Sequence, residues 1–192
     1  MIKNRIKENL ILTEKILNDE NIVSTIANIS KIMVQSLNLG KKILFCGNGG
    51  SAAEAQHLAA EFSGKFKIDR TALPAEAMHV NSSYITAVAN DYGYKHVYER
   101  IILGTGNPED ILFILSTSGQ SENLVMAAKA AREKHLIVIS FLGESPNEIK
   151  GLSDYSISIP STDTPRIQEL HLLLGHIICE TVEKSIFDKE II

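Results

Sequence analysis

From Lys42 onward the chain repeats one pattern: a short run of β-branched and apolar residues, a few turn formers, then a stretch of helix formers. That order predicts βα units, because a strand joined to the next by a helical crossover returns to its sheet as a parallel neighbour. The runs that read as strands are Ile43 to Cys46, Ala75 to Val80, Ile111 to Leu115, Leu136 to Phe141 and Tyr155 to Ile159. Helices are expected to begin near Ser51, Ser82, Lys95, Ser121 and Asn147, and a last one to run from Pro165 to Phe187. In that last helix Thr164 reads as N-cap and Pro165 as the first helical residue, where its missing N–H costs nothing. Ahead of these units, Ile2, Ile6, Leu10, Ile16, Leu17, Ile22, Ile26, Ile29, Ile32 and Met33 recur at helical spacing, with a polar break from Asn18 to Asn21. Two helices follow. The expected fold is a single α/β domain over residues 1–192, with N-terminal helices over 1–38. Its core over 39–192 is a doubly wound, flavodoxin-like parallel sheet of five strands flanked by helices.

Composition narrows the function. Among 192 residues, 23 are Asp or Glu and 19 Lys or Arg, a formal charge of −4, with no long basic cluster. Nucleic acid and anionic membranes both call for concentrated positive charge, so neither is an expected partner. The apolar stretches Leu136 to Leu142 and Leu170 to Cys179 are interrupted by Ser140, His171, Gly175 and His176 and fall short of the ~20 residues that span a bilayer. The N-terminal MIKNRIKENLILTEK alternates charged and apolar residues and does not read as a signal peptide, so a cytoplasmic location is expected. Cys46 and Cys179 sit in apolar segments without a CxxC partner and read as buried thiols.

Open parallel sheets bind ligands beyond the carboxyl ends of their strands, which directs attention to the loops there. After the first strand, Cys46-Gly47-Asn48-Gly49-Gly50-Ser51 opens an Ala-rich helix. Its glycines permit close backbone approach, and the helix start offers free N–H groups to an anion or a polar sugar. It is neither a dinucleotide fingerprint nor a Walker sequence, and a plain connecting turn is an equal reading. After the third strand, Ser116-Thr117-Ser118-Gly119-Gln120-Ser121 gathers four hydroxyls at another helix start without a cationic side chain. One hydroxyl is enough for an N-cap; four favour a phosphate monoester held by neutral donors.

Three further groups carry chemistry or its bland counterpart. His57 and Glu61 stand one turn apart on the helix opened by the glycine loop. A solvated surface pair is the usual reason for such spacing, but the small neighbours Ala52, Ala53, Ala55, Ala59 and Ala60 and the nearby loop raise its interest. On the last helix, Gln168 and His176 lie roughly 80° apart around the axis and would meet at one point only by leaning towards each other. Arg166, Glu169 and His171 share that helix, but His171 points elsewhere, and His79, His96 and His135 have no partner at ligand spacing. Asn90-Asp91-Tyr92-Gly93 ends a helix and brings a carboxylate and an amide near the cleft, or forms an ordinary Asx-type turn.

Taken in order, the segments GNGGSAAEAQHLAAEFSG, AVANDYG, LSTSGQSENL, AAREK and RIQELHLLLGH resemble the SIS (sugar isomerase) domain proteins, and within them the bacterial phosphoheptose isomerases, over nearly the whole chain. The set His57, Glu61, Gln168 and His176 is more specific than either loop, since many SIS domains bind sugar phosphates without it. The resemblance implies interconversion of sedoheptulose 7-phosphate and D-glycero-D-manno-heptose 7-phosphate, the opening step of bacterial heptose synthesis for lipopolysaccharide or capsule. It implies acid/base work by Glu61 and His176. Asn48, Gly49, Gly50, Ser51, Glu61, Asn90, Asp91 and Gln168 would hold the sugar, and Ser116, Thr117, Ser118 and Ser121 the phosphate. It further implies one zinc ion per subunit on His57, Glu61, Gln168 and His176, and a homotetramer with active sites between subunits. A zinc-bound carboxylate is a weakened base, so Glu61 cannot serve fully as ligand and proton carrier at one instant, and Gln is an uncommon zinc ligand. Lys65 stands where many family members carry Arg, a point charge in place of a planar fork.

Two other functions fit the same fold. A non-catalytic relative that binds a replication initiator would have lost part of the set His57, Glu61 and His176, all present here. An SIS sensor regulating transcription calls for an attached DNA-binding domain, for which 192 residues leave no room.

Overall fold

The computed structural model describes residues 1–188. Its five strands are β1 (Ile43–Cys46), β2 (Ala75–Ala77), β3 (Ile111–Ser116), β4 (Ile137–Leu142) and β5 (Tyr155–Ser158). They pair in parallel in the order β2-β1-β3-β4-β5. The α-helices are α1 (Ile2–Leu17), α2 (Glu20–Asn38), α3 (Gly50–Ser63), α4 (Ser82–Tyr92), α5 (Val97–Thr105), α6 (Glu122–Glu133), α7 (Glu148–Leu152) and α8 (Thr164–Phe187). This is the doubly wound parallel sheet that the repeated βα pattern requires.

The period-two alternation within the strands divides the core in two. Ile43, Phe45, Ile111, Phe113, Leu115, Ile139 and Phe141 pack with Met33 of α2, Leu58 and Phe62 of α3, and Leu170, Leu174 and Ile178 of α8. The intervening residues Leu44, Cys46, Leu112, Ile114 and Val138 pack with α5 and α6 through Tyr98, Ile102, Leu124 and Ala128. Phe45, Phe113 and Phe141 form a ladder across three strands, with ring centroids 5.1 and 4.9 Å apart. Cys46 and Cys179 are free and buried, and burial pushes the Cys179 thiol up to about 12, so both are inert core residues.

The limits of β3, β4 and β5 fall within one residue of the expected ones, and three further boundaries differ from the sequence reading. β2 ends at Ala77 rather than Val80, because Val80 turns back to donate to the Ala77 carbonyl at 3.3 Å and Asn81 then caps α4 by accepting from Tyr84 N at 3.0 Å. The helix expected near Lys95 is a 3₁₀ turn over Tyr94–His96 followed by α5. In α8 the cap position falls on Asp163 rather than Thr164, since Ile167 N already reaches the Asp163 carbonyl at 3.0 Å and starts the helix one residue early. The expected break between α1 and α2 is present, with the Asp19 side chain accepting from Asn21 N and Ile22 N. Among the described residues no helix is long and apolar enough to cross a membrane.

The strand order has one consequence for function. After β1 the chain adds β2 on one side, then crosses back to place β3 on the other. The crevice between the carboxyl ends of β1 and β3 is therefore the switch point at which such sheets take ligands.

Candidate active site

Both loops singled out in the sequence leave the sheet at this switch point. The glycine loop is held from several sides. Tyr98 donates its hydroxyl to the Gly47 carbonyl at 2.6 Å, and the side-chain amides of Asn48 and Asn123 bond each other reciprocally at 2.9 Å. Asn48 Oδ1 also accepts from the Tyr94 hydroxyl at 3.3 Å. Asn48 thus joins the glycine loop to the start of α6, leaving little of its amide for a ligand. Gly50 begins α3 at a position where a Cβ would lie 2.4 Å from Gln168 Nε2, so only glycine lets the Gln168 side chain rest there. Gln168 Nε2 is 3.4 Å from the hydroxyl of the buried Ser51.

The serine loop forms a nest at the start of α6. Ser116 Oγ accepts from Gly119 N at 3.0 Å and Ser118 Oγ from Gln120 N at 3.3 Å. Ser121 occupies the N-cap position, yet its side chain makes no capping bond. Its hydroxyl is therefore not used in a capping bond, and a helix start of this kind offers its first amides to an anion.

The acid/base and ligand candidates come together where α3 and α8 cross. His57 Nε2 lies 3.4 Å from Glu61 Oε1 on its own helix and 2.7 Å from His176 Nε2 on α8. At 2.7 Å the two ring nitrogens are within hydrogen-bond distance, with one imidazole donating and the other accepting. The close crossing depends on Gly175, whose Cβ would fall 2.7 Å from the buried Leu58 side chain. Phe66 stacks on the His176 ring, with centroids 5.7 Å apart and planes at 23°. One turn before His57, a cleft of about 440 Å³ is lined by Gly50, Ala53, Glu54, His57, Pro165, Gln168, Glu169 and Leu172. His57 thus links the cleft to the corner it forms with Glu61 and His176, while Gln168 lines the cleft beside Ser51.

Not every expected residue gathers here. Asn90 and Asp91 are exposed in the last turn of α4, where Asn90 Nδ2 donates to Asp91 Oδ1 at 2.8 Å, and neither lines the cleft. His171 is fully buried with its Nε2 3.3 Å from the Leu142 carbonyl, and burial holds its pKa down to about 4, a core residue as its facing suggested. His96 pairs with Glu99 on α5.

Several participants had no place in the sequence reading. Glu54 is only 5% exposed, and among the described residues both of its carboxylate oxygens lack a hydrogen-bond partner. Burial pushes its pKa up to about 7, opposed weakly by the nearby Ser51 hydroxyl. Its spacing from Gly50 and His57 placed it on their helix face, a signal that was available. Asn123, two residues beyond Ser121, was likewise within the motif. Phe66 had no such signal.

Imidazole nitrogens and a carboxylate make a donor set that suits zinc, and the His57, Glu61 and His176 ligand atoms all lie within 4.8 Å of one another. These three residues fit an ion; the amide of Gln168 is directed at Ser51 instead.

Comparison with known proteins gives this arrangement its relatives. The SIS domain family profile matches residues 11–143. A phosphoheptose isomerase of Clostridium acetobutylicum is 47% identical over 190 residues, covering 99% of this chain and 97% of that protein. Among solved structures, a phosphoheptose isomerase from Francisella tularensis superposes with a TM-score of 0.91 at 32% identity, covering 95% of this chain and 96% of that one. The corresponding enzyme from Neisseria gonorrhoeae gives 0.89 at 35% identity, covering 95% and 97%. With the likeness running over nearly all of its length and through both loops and both helices, the chain belongs to the phosphoheptose isomerases of the SIS domain family.

Proposed function

We propose that this enzyme interconverts sedoheptulose 7-phosphate and D-glycero-D-manno-heptose 7-phosphate through an enediol, opening heptose synthesis for a bacterial lipopolysaccharide or capsule. The observation that carries the reading is the meeting of Glu61 and His176 through His57, from helices far apart in the sequence. Aldose–ketose isomerisation moves a proton between adjacent carbons and a second between their oxygens. One side chain takes the carbon-bound proton and returns it to the neighbouring carbon, and another serves the oxygens; Glu61 and His176 supply this pair. The serine loop takes the phosphate through Ser116, Thr117, Ser118, Ser121 and the amides of α6. Gly49, Gly50, Ser51 and Gln168 take sugar hydroxyls, with Asn48 shaping the loop.

Zinc on His57, Glu61 and His176 would polarise the carbonyl and hydroxyl oxygens when bound, or would only stabilise the site. Asn90 and Asp91 lie outside the cleft of a single chain, which agrees with a site completed by a neighbouring subunit. Assembly as a homotetramer is supported by the exposed Ile2, Ile6 and Leu10 of α1 and Leu173 and Ile177 of α8. A cytoplasmic location accords with a sugar-phosphate substrate. A non-catalytic, initiator-binding role has no support in a chain whose His57, Glu61 and His176 are intact and convergent.

The test is to incubate the purified protein with sedoheptulose 7-phosphate, with and without chelator, and to follow aldose formation. Glu61→Gln and His176→Asn should each abolish turnover with the circular dichroism spectrum preserved. Near-normal turnover in either variant refutes its acid/base role.

A further inference from the structure

A second connection joins the helices that carry Glu61 and His176, and it runs through the loop after α3. Glu183, two turns beyond His176 on α8, is 2% exposed. Its Oε1 accepts from Phe66 N at 3.1 Å and Arg70 Nε at 2.9 Å, and its Oε2 from Lys67 N at 2.8 Å and Ile68 N at 3.0 Å. Arg70, its side chain equally buried, spends its remaining nitrogens on backbone carbonyls at the end of α3. Nη2 donates to the Glu61 carbonyl at 2.8 Å, and Nη1 to those of Phe62 and Gly64 at 2.8 and 3.1 Å.

A buried ion pair is weak evidence for stability, because desolvation offsets most of its attraction. What this one provides is geometry. A single carboxylate binds three successive amides of the loop to α8, and its guanidinium partner binds the backbone of Glu61 itself. Between these anchors the loop lays the Phe66 ring almost parallel on His176, on whose edge Nε2 meets His57. Lys67 closes the outer side, donating to Glu180 Oε2 at 2.6 Å.

We propose that residues 65–70 form a positioning strap, anchored by Arg70 and Glu183, in which Phe66 is the positioning residue that sets the His176 ring against His57 and Glu61. The strap deepens the proposed function, on which its kinetic consequence rests. It also gives the departure at Lys65 a place, since that residue leads directly into Phe66.

The experiment uses the full-length protein with Phe66→Leu, which keeps apolar bulk without a planar face, Phe66→Tyr, which keeps the face, and Glu183→Gln, which keeps the anchor's shape without its charge. The first readout is the imidazole resonances of His176 by NMR, which requires no turnover. Phe66→Leu and Glu183→Gln should average the His176 ring and weaken its contacts to His57, while Phe66→Tyr preserves them. An ordered, wild-type His176 ring in Phe66→Leu overturns the strap, as does loss of order in Phe66→Tyr when its thermal unfolding matches that of the wild type. The second readout is steady-state kinetics: Phe66→Leu should lower kcat by about tenfold or more with little change in KM, and Phe66→Tyr should restore it. Wild-type kcat in Phe66→Leu, with Glu61→Gln and His176→Asn inactive, overturns the strap and leaves the isomerase reading standing. Activity in Glu61→Gln or His176→Asn overturns that reading instead, and the NMR result alone then decides the strap.

Discussion

The two sides of the crevice are built in opposite ways. The serine loop is one contiguous segment, Ser116 to Ser121, whose donors are hydroxyls and backbone amides at the start of α6. The corner of His57, Glu61 and His176 joins side chains 119 residues apart, across a helix crossing where a methyl group at Gly175 would press on Leu58. A site of the first kind relies on local conformation and spreads its binding over many weak donors. A site of the second kind depends on tertiary packing, and each of its few side chains has a task no other performs.

That contrast orders the expected effects of substitution. Glu61→Gln should lower kcat by about a thousandfold or more while sedoheptulose 7-phosphate still binds, a split checked by single-turnover kinetics and equilibrium dialysis. Comparable losses from any one loop hydroxyl would erase the distinction.

Glu54 sharpens the comparison through pH, because the serine loop has no titratable group. Below about 4.5, the ordinary glutamate value, folded and unfolded chains both hold the Glu54 proton and nothing is lost. Between there and about 7 only the folded chain keeps it, so stability falls as pH rises and levels off above 7. Glu54→Gln should therefore match the wild type near pH 4.5 and exceed it at pH 8 by up to about 3 kcal/mol in urea unfolding. Parallel curves for the two proteins would mean that Glu54 has a partner when ionised.

Gly175→Ala tests the crossing itself. The added methyl presses on Leu58, and the expected cost is about 2 kcal/mol in thermal or urea unfolding, together with a fall in kcat as α8 moves off α3. Full activity with reduced stability would show that the corner tolerates a shift of its helices. The smallest effect belongs to the loop: Ser121→Ala should raise KM by about fivefold, roughly 1 kcal/mol, with kcat almost unchanged. If inorganic phosphate then inhibits wild type and variant equally, Ser121 does not face the anion.

The legible parts of the molecule were those written in consecutive residues. The strands at Ile43, Ile111 and Tyr155 begin where alternation and turn formers put them, and both loops sit at the helix starts where glycines and hydroxyls cluster. The ends of elements were less readable, as at β2, where the backbone bond between Val80 and Ala77 competes with the ladder. His57 and Glu61 were paired by their spacing, Gln168 and His176 stood out on the last helix, and the resemblance of the whole chain to a known family joined the four into one set. No periodicity could have supplied Asn123 as the partner of Asn48, or Phe66 as that of His176.

The chain's local chemistry by itself determined the parallel sheet, the glycine and serine loops at its carboxyl edge and the face of α3 that carries Gly50, His57 and Glu61. These follow from side-chain period, glycine and capping, each of which acts within a few residues. Only the tertiary structure decided that α8 would cross α3 closely enough to join His176 to His57, that the Glu54 carboxylate would be buried, and that Arg70 and Glu183 would hold Phe66 over the histidine. Those outcomes depend on which apolar faces meet and how near their backbones come, and residues far apart in the chain acquire such distances only when the core closes.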